Sequence, residues 1–322
     1  MTSARKIKTL LVSGFLGAGK TSFINHLIQK LDSKKTIIIE NEFGEVGIDG
    51  ALLKTAGNTM FEISNGCICC DVNHELNDAL REVMKVETCE YLIIETTGIA
   101  DPATVAASFY SSMKIEDVFT PIHATCLVDV DMIEDRLKET DEALRQIAFA
   151  TTIILNKTDL IDVEKLKEVS IIISEINPTA KVLHAEKGII KENINYLHDF
   201  FDDNFKNLEK QPHHHHHHEH HHHEISSYTF TFHEPLKLHT LVNRLYVLQL
   251  VSSHQIYRVK GIINSVEYSE KSTIQSVGKH IEVNHIGAWD DKETKQSTIV
   301  VIGKNIEKQS IEKILNSCIV KN

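Results

Sequence analysis

The clearest chemistry in the chain lies in eight consecutive residues, Gly14-Phe15-Leu16-Gly17-Ala18-Gly19-Lys20-Thr21. The spacing fits G-x-x-x-x-G-K-[ST], in which the backbone N–H groups of Gly14, Gly17, Ala18 and Gly19 converge on a phosphate at the positive end of a helix. Lys20 would reach the β- and γ-phosphates, the Thr21 hydroxyl would hold Mg²⁺, and Ser22 adjoins them. A second nucleotide element is expected in Tyr91-Leu92-Ile93-Ile94-Glu95-Thr96-Thr97-Gly98, an apolar run that delivers an acid and then a glycine. Glu95 can hold Mg²⁺ directly or through water, and the Gly98 N–H can sense the γ-phosphate. Lys20, Glu95 and Gly98 are therefore the residues expected to carry the phosphate chemistry.

Base choice is expected from Asn156-Lys157-Thr158-Asp159. Asp159 can accept from both N1–H and the 2-amino group of guanine, donors that adenine lacks, so a carboxylate placed there favours GTP over ATP. Asn156 would brace the loop, and the Lys157 stem can lie over the base. Farther on, Ala185 ends another strand-like run, where a backbone N–H can meet the guanine O6.

A different chemistry is offered by Gly66-Cys67-Ile68-Cys69-Cys70. Thiols this close cannot form an ordinary disulfide framework. Thiolates select soft or borderline cations such as Zn²⁺ over Mg²⁺, and a tetrahedral site needs a further ligand that Glu40-Asn41-Glu42-Phe43-Gly44-Glu45 can supply. His74 is expected to open a helix rather than to ligate. Cys89, Cys126 and Cys318 stand alone in apolar surroundings and read as small buried hydrophobes. A run of imidazoles, His213–His218 and His220–His223 around Glu219, cannot build a core and reads as a metal-gathering linker. A purification tag would sit at a terminus; this run is internal. Imidazoles bind Zn²⁺, Ni²⁺, Co²⁺ and Cu²⁺ alike, so the run does not name the metal.

These motifs need strand ends to present them. Runs at Lys8–Ser13, Thr36–Glu40, Tyr91–Glu95, Ala124–Asp129, Thr152–Asn156 and Lys181–Ala185 are apolar without strict alternation, as strands covered on both faces should be. Helical patterns fall between them, at Ser22–Leu31, Glu75–Val86, Ala103–Met113, Asp131–Phe149, Val163–Ile176 and Ile189–Phe201. Such alternation predicts an α/β, doubly wound, mostly parallel sheet over residues 1–205. The linker spans 206–224, and 225–322 reads as a smaller α+β domain. Its expected strands are Tyr228–Phe232, Gln255–Asn264, Glu282–Trp289 and Ser297–Gly303, with helices at Leu236–Leu250 and Ser310–Cys318.

Composition is that of an ordinary globular chain, 42% hydrophobic and 25% charged. A net charge of -11 argues against a broad nucleic-acid-binding face. No apolar run reaches the roughly 18 residues that span a bilayer, and the polar start does not fit a signal peptide, so a cytoplasmic location is expected.

Taken together the chain resembles the CobW family of metal-chaperone P-loop GTPases. The resemblance rests on Gly14–Thr21, Glu40–Glu45, Ser64–Cys70, Glu95–Gly98 with Asp101-Pro102, and Asn156–Asp159. It continues through the histidine linker to Arg258-Val259-Lys260-Gly261 and Val300-Val301-Ile302-Gly303. Ser22, where the family usually has a second threonine, and Asp71-Val72-Asn73-His74 depart from the pattern. The resemblance implies slow GTP hydrolysis coupled to metal delivery into a client metalloprotein. It also implies metal ligation by Cys67, Cys69 and Cys70 with Glu40 as an oxygen ligand. Zinc is the family's commonest metal, while cobalt, nickel or iron stay open. A nucleotide-dependent homodimer is compatible with it, and so is a storage role for the histidine linker.

Overall fold

The computed structural model describes residues 6–40, 52–55, 60–62, 72–120, 122–201, 225–252, 255–290 and 293–320. Cys67, Cys69 and Cys70, the Asn41–Glu45 stretch and the histidine run lie outside the described residues. The chain divides into two compact units, one of Met1–Ile171 and Ala180–Asn204, the other of Ile172–Thr179 and Phe205–Asn322.

In the first unit the strands are β1 (Lys8–Gly14), β2 (Thr36–Glu40), β3 (Leu52–Thr55), β4 (Met60–Glu62), β5 (Tyr91–Glu95), β6 (His123–Asp129), β7 (Thr152–Asn156), β8 (Lys181–Glu186) and β9 (Ile189–Ile190). They form one sheet in the order β4-β3-β2-β5-β1-β6-β7-β8-β9. The six from β2 to β8 run parallel. From β2 to β7 their middle residues are buried, which is why they read as continuous apolar runs; in β8 only Leu183 and Ala185 are. β3 and β4 extend one edge antiparallel and β9 the other. These three strands were not foreseen; each is only two to four residues long, too short for a periodic signal.

Helices α1 (Lys20–Ile28), α2 (Val72–Lys85), α3 (Pro102–Ala107), α4 (Met113–Val118), α5 (Ile133–Glu139), α6 (Asp141–Phe149), α7 (Val163–Ile176) and α8 (Tyr196–Phe201) connect the strands. α2 begins two residues before His74, so that histidine lies inside the first turn rather than opening the helix. The single helix expected over Asp131–Phe149 is two, because Thr140 is extended (φ -144°, ψ 145°). Asp141 and Glu142 then open α6 with the negative charge a helix N-terminus favours. The helix expected over Ile189–Phe201 is confined to α8, and its first residues instead complete a tight hairpin from β8 to β9. Lys187 (φ 51°) and Gly188 (φ 78°) make its two-residue turn, both left-handed as such a turn requires.

The second unit carries β10 (Ile225–Phe232), β11 (Ile256–Ile263), β12 (Ser272–Val277), β13 (His280–His285) and β14 (Ser297–Lys304), in the order β10-β14-β11-β12-β13. These five strands pair antiparallel throughout. Helices α9 (Leu238–Val251) and α10 (Lys308–Asn316) share its core, where Leu241, Leu245, Ile311 and Leu315 join Phe230, Ile274, Ile299 and Val301. The Arg258–Gly261 and Val300–Gly303 stretches are partners in this sheet, with Lys260 opposite Val300. β12 escaped the sequence reading because Ser272, Thr273, Gln275 and Ser276 give its strand a polar character.

Candidate nucleotide site

Parallel strands leave their carboxyl ends on one edge of the sheet. β1 lies between β5 and β6, so the chain passes from one side of β1 to the other at the point where open α/β sheets bind ligands. Gly14, Glu95, Asp129, Asn156 and Ala185 all come to that edge, at or one residue before a strand end.

Gly14–Thr21 wraps from β1 into α1. Gly19 caps the helix in a left-handed conformation (φ 96°), and a Cβ there would stand 2.3 Å from Asn156 Nδ2. Nothing larger than glycine fits between the loop and the Asn156 side chain. Lys20 is buried, and its ammonium donates to Gly14 O at 2.9 Å and to Phe15 O at 3.4 Å. Burial pulls its pKa below the usual lysine range, against the opposing field of Glu95. Thr21 Oγ1 donates to Glu95 Oε1 at 2.9 Å. These two oxygens, from residues 74 apart in sequence, form a hard donor set that fits Mg²⁺. Ser22, next along, is exposed.

The base-reading segment is tied to this loop by Asn156, which is 1% exposed. Its Nδ2 donates to Ala18 O at 2.8 Å, and its Oδ1 accepts from Gly188 N at 3.0 Å. One amide thus pins the phosphate loop to the β8–β9 hairpin. Lys157 adopts a left-handed conformation (φ 64°), and its ammonium pairs with Asp129 at 2.6 Å. Thr158 Oγ1 donates to the backbone oxygen of buried Ala185 at 3.2 Å. Asp159 is left exposed on the turn that follows. Gly98 packs on the phosphate loop, its carbonyl accepting from Gln146 Nε2 at 3.1 Å.

The structure therefore gathers Gly14, Gly17, Ala18, Gly19, Lys20, Thr21, Ser22, Glu95, Gly98, Asn156, Lys157, Asp159 and Ala185 around one sheet edge. Glu40 reaches the same edge by its backbone, as the register partner of Glu95 on the adjacent strand. Gly188, Asp129 and Gln146 were missed by motif reasoning. Of these only Gly188 had a signal, a glycine two residues after a strand end. Among the described residues no group of three or more His, Cys, Asp or Glu side chains could hold a metal ion. Cys89, Cys126 and Cys318 are buried thiols outside any disulfide, and burial pushes the Cys126 thiol up to about 12. No described helix is long and apolar enough to cross a membrane.

A doubly wound sheet with this loop at its switch point defines a P-loop GTPase fold. The chain belongs to the CobW/HypB/UreG family: that family's nucleotide-binding domain model matches residues 8–184, and the cobalamin synthesis protein cobW C-terminal domain matches residues 225–319. It is 28% identical over 314 residues to the zinc chaperone YjiA of Escherichia coli (strain K12), covering 95% of this chain and 96% of that protein. It is 30% identical over 342 residues to the zinc chaperone CobW of a Sinorhizobium species, covering 94% and 95%. The crystal structure of the Zn(II)-bound YjiA GTPase from E. coli superposes with a TM-score of 0.69 at 23% identity, over 98% of this chain and 99% of that one, a likeness of fold.

Proposed function

We propose that this chain is a GTP-hydrolysing metallochaperone that takes zinc as cargo and hands it to a client metalloprotein. GTP with Mg²⁺ occupies the Gly14–Thr21 loop, Glu95 and Gly98 attend the γ-phosphate, and Asn156, Lys157, Asp159 and Ala185 receive the guanine. Cys67, Cys69 and Cys70 hold the zinc with Glu40. Residues 1–205 form the nucleotide unit, 206–224 the linker, and 225–322 the domain that helps select the client. The observation that carries the reading is the register of β2 on β5, which sets Glu40 directly beside Glu95. Neighbouring strands lie about 4.8 Å apart, so the expected cargo ligand and the expected Mg²⁺ ligand stand on adjacent strand ends, one strand spacing apart. Homologues named zinc chaperones support the choice of metal.

Base selectivity tests the nucleotide half. Asp159→Ala should lower GTP affinity by at least about tenfold, since it removes a bidentate charged acceptor. Its exposure on the turn predicts no loss of folding, so the thermal midpoint should not move. Isothermal titration with GTP and ATP measures the affinities and a thermal melt the midpoint; equal affinity of the unmodified protein for the two nucleotides would end the guanine assignment.

The histidine run is expected to be auxiliary, because imidazoles repeated along one polar stretch offer many weak, exchangeable sites. Deleting His213–His223 should lower the total zinc bound while one tight site and GTP turnover persist. Loss of the tight site in that deletion would favour the storage role instead.

A further inference from the structure

Two adjacent side chains of α6 reach back to the segment that follows β5. Gln146 is 1% exposed, and its amide nitrogen donates to Gly98 O and to Ala100 O, both at 3.1 Å. Both hydrogens of that amide are thereby engaged. Next to it, Arg145 Nη1 lies 3.4 Å from Asp101 Oδ2. The same carboxylate caps α3, accepting from Ala103 N at 2.9 Å. The segment is closed from within by Ala100 N donating to Thr97 O at 3.2 Å. On its other side it meets the phosphate loop, where a Cβ on Gly98 would stand 2.6 Å from Leu16 N.

Each of these bonds that ends on a backbone group orients a peptide plane, since the group is rigid. The bond to Thr97 O orients the plane that carries the Gly98 N–H. The bonds from Gln146 set the planes on the C-terminal side of Gly98 and Ala100. Gln146 is 1% exposed, so losing its donors would leave the buried Gly98 carbonyl unpaired and strip a partner from the half-buried Ala100 carbonyl. α6 is a firm anchor for this grip, because Leu144, Ile147, Ala148 and Phe149 are all buried.

We propose that Gln146, assisted by Arg145, is the positioning residue that holds Gly98–Asp101 in the geometry that reads a γ-phosphate. α6 then determines how sharply the site distinguishes a nucleoside triphosphate from a diphosphate, although neither side chain need touch the nucleotide. The inference rests on the GTP reading above and adds to it a residue that no nucleotide motif contains.

The test uses the full chain with GTP, a non-hydrolysable GTP analogue and GDP. Gln146→Met keeps length and removes the donors; Gln146→Glu keeps the shape and sets a carboxylate oxygen against two carbonyls. In both, kcat should fall roughly ten- to a hundredfold, the scale of a small misplacement in an active site. Affinity for the GTP analogue should fall while GDP affinity stays at the wild-type value. Arg145→Ala should move both readouts the same way by less, which keeps the test open if one Gln146 variant fails to fold. Wild-type turnover in the Gln146 variants, or an equal loss of GTP-analogue and GDP affinity, would overturn the assignment. A wild-type protein that turned over no GTP would instead sink the reading on which it rests.

Discussion

Replacing Lys20 with alanine is expected to lower GTP turnover by at least about a hundredfold, the scale on which preorganised charge stabilisation acts. The lysine is held in advance of any nucleotide. Its ammonium is buried against two carbonyls of its own loop, Gly14 O and Phe15 O. Burial has already stripped much of its water, as the lowered pKa records. An incoming β- or γ-phosphate therefore meets a cation already largely desolvated, and supplies the countercharge that the loop carbonyls only partly provide. Alanine removes that charge without harming α1, since it is the best helix former and Lys20 is the helix's first residue. Phosphate release at saturating GTP, read beside the thermal midpoint, separates lost chemistry from lost fold. Unchanged turnover would refute the role given to the loop.

Lys20 also shows why this part of the site was legible in the sequence. Gly14–Thr21 is one contiguous strand–loop–helix unit, so its spacing already contains its geometry. Asn156 is a partial case. The N-K-x-D pattern announces a bracing asparagine, yet its two partners, Ala18 O and Gly188 N, come from segments 138 and 32 residues away. Asp129 and Gln146 could not be read at all. Asp129 engages Lys157 only because β6 and β7 pair in register, with Asp129 opposite Asn156. Gln146 reaches Gly98 and Ala100 only because α6 packs beside the segment after β5, and a glutamine inside a helix carries no local mark of that contact. The fold followed the same division. Long buried strands such as β6 and β7 stood out as apolar runs, whereas β3, β4 and β9 exist by virtue of a neighbour's edge. The break at Thr140 was hidden by the apolar periodicity continuing on both sides of it.

Serine at both Cys69 and Cys70 is expected to remove the tight zinc site and the zinc response of GTP turnover, and to leave GTP binding intact. In the intact chain, zinc affinity should differ between the GDP and GTP forms by about tenfold or more, a coupling of about 1.4 kcal/mol. The physical route begins at the sheet edge. Thr21 Oγ1 donates to Glu95 Oε1 at 2.9 Å, and Mg²⁺ drawn to the lone pairs of these oxygens would reset the spacing of that pair. Glu95 is the register partner of Glu40, so a change at the end of β5 is felt at the end of β2, where the cargo's oxygen ligand is proposed. Tetrahedral zinc holds thiolates near 2.3 Å and tolerates little error, so a small displacement of one ligand weakens the whole set. Because binding displaces thiol protons, zinc affinity in either form should also fall as pH drops. By linkage, zinc must then shift the preference for GTP over GDP by the same factor that nucleotide shifts zinc. Competition against a chromophoric chelator, with GDP and with a non-hydrolysable GTP analogue, measures one side of that equality; nucleotide titration with and without zinc measures the other. Equal zinc affinity in the two nucleotide forms would rule out release driven by hydrolysis and leave the thiol cluster as a passive site on a GTPase.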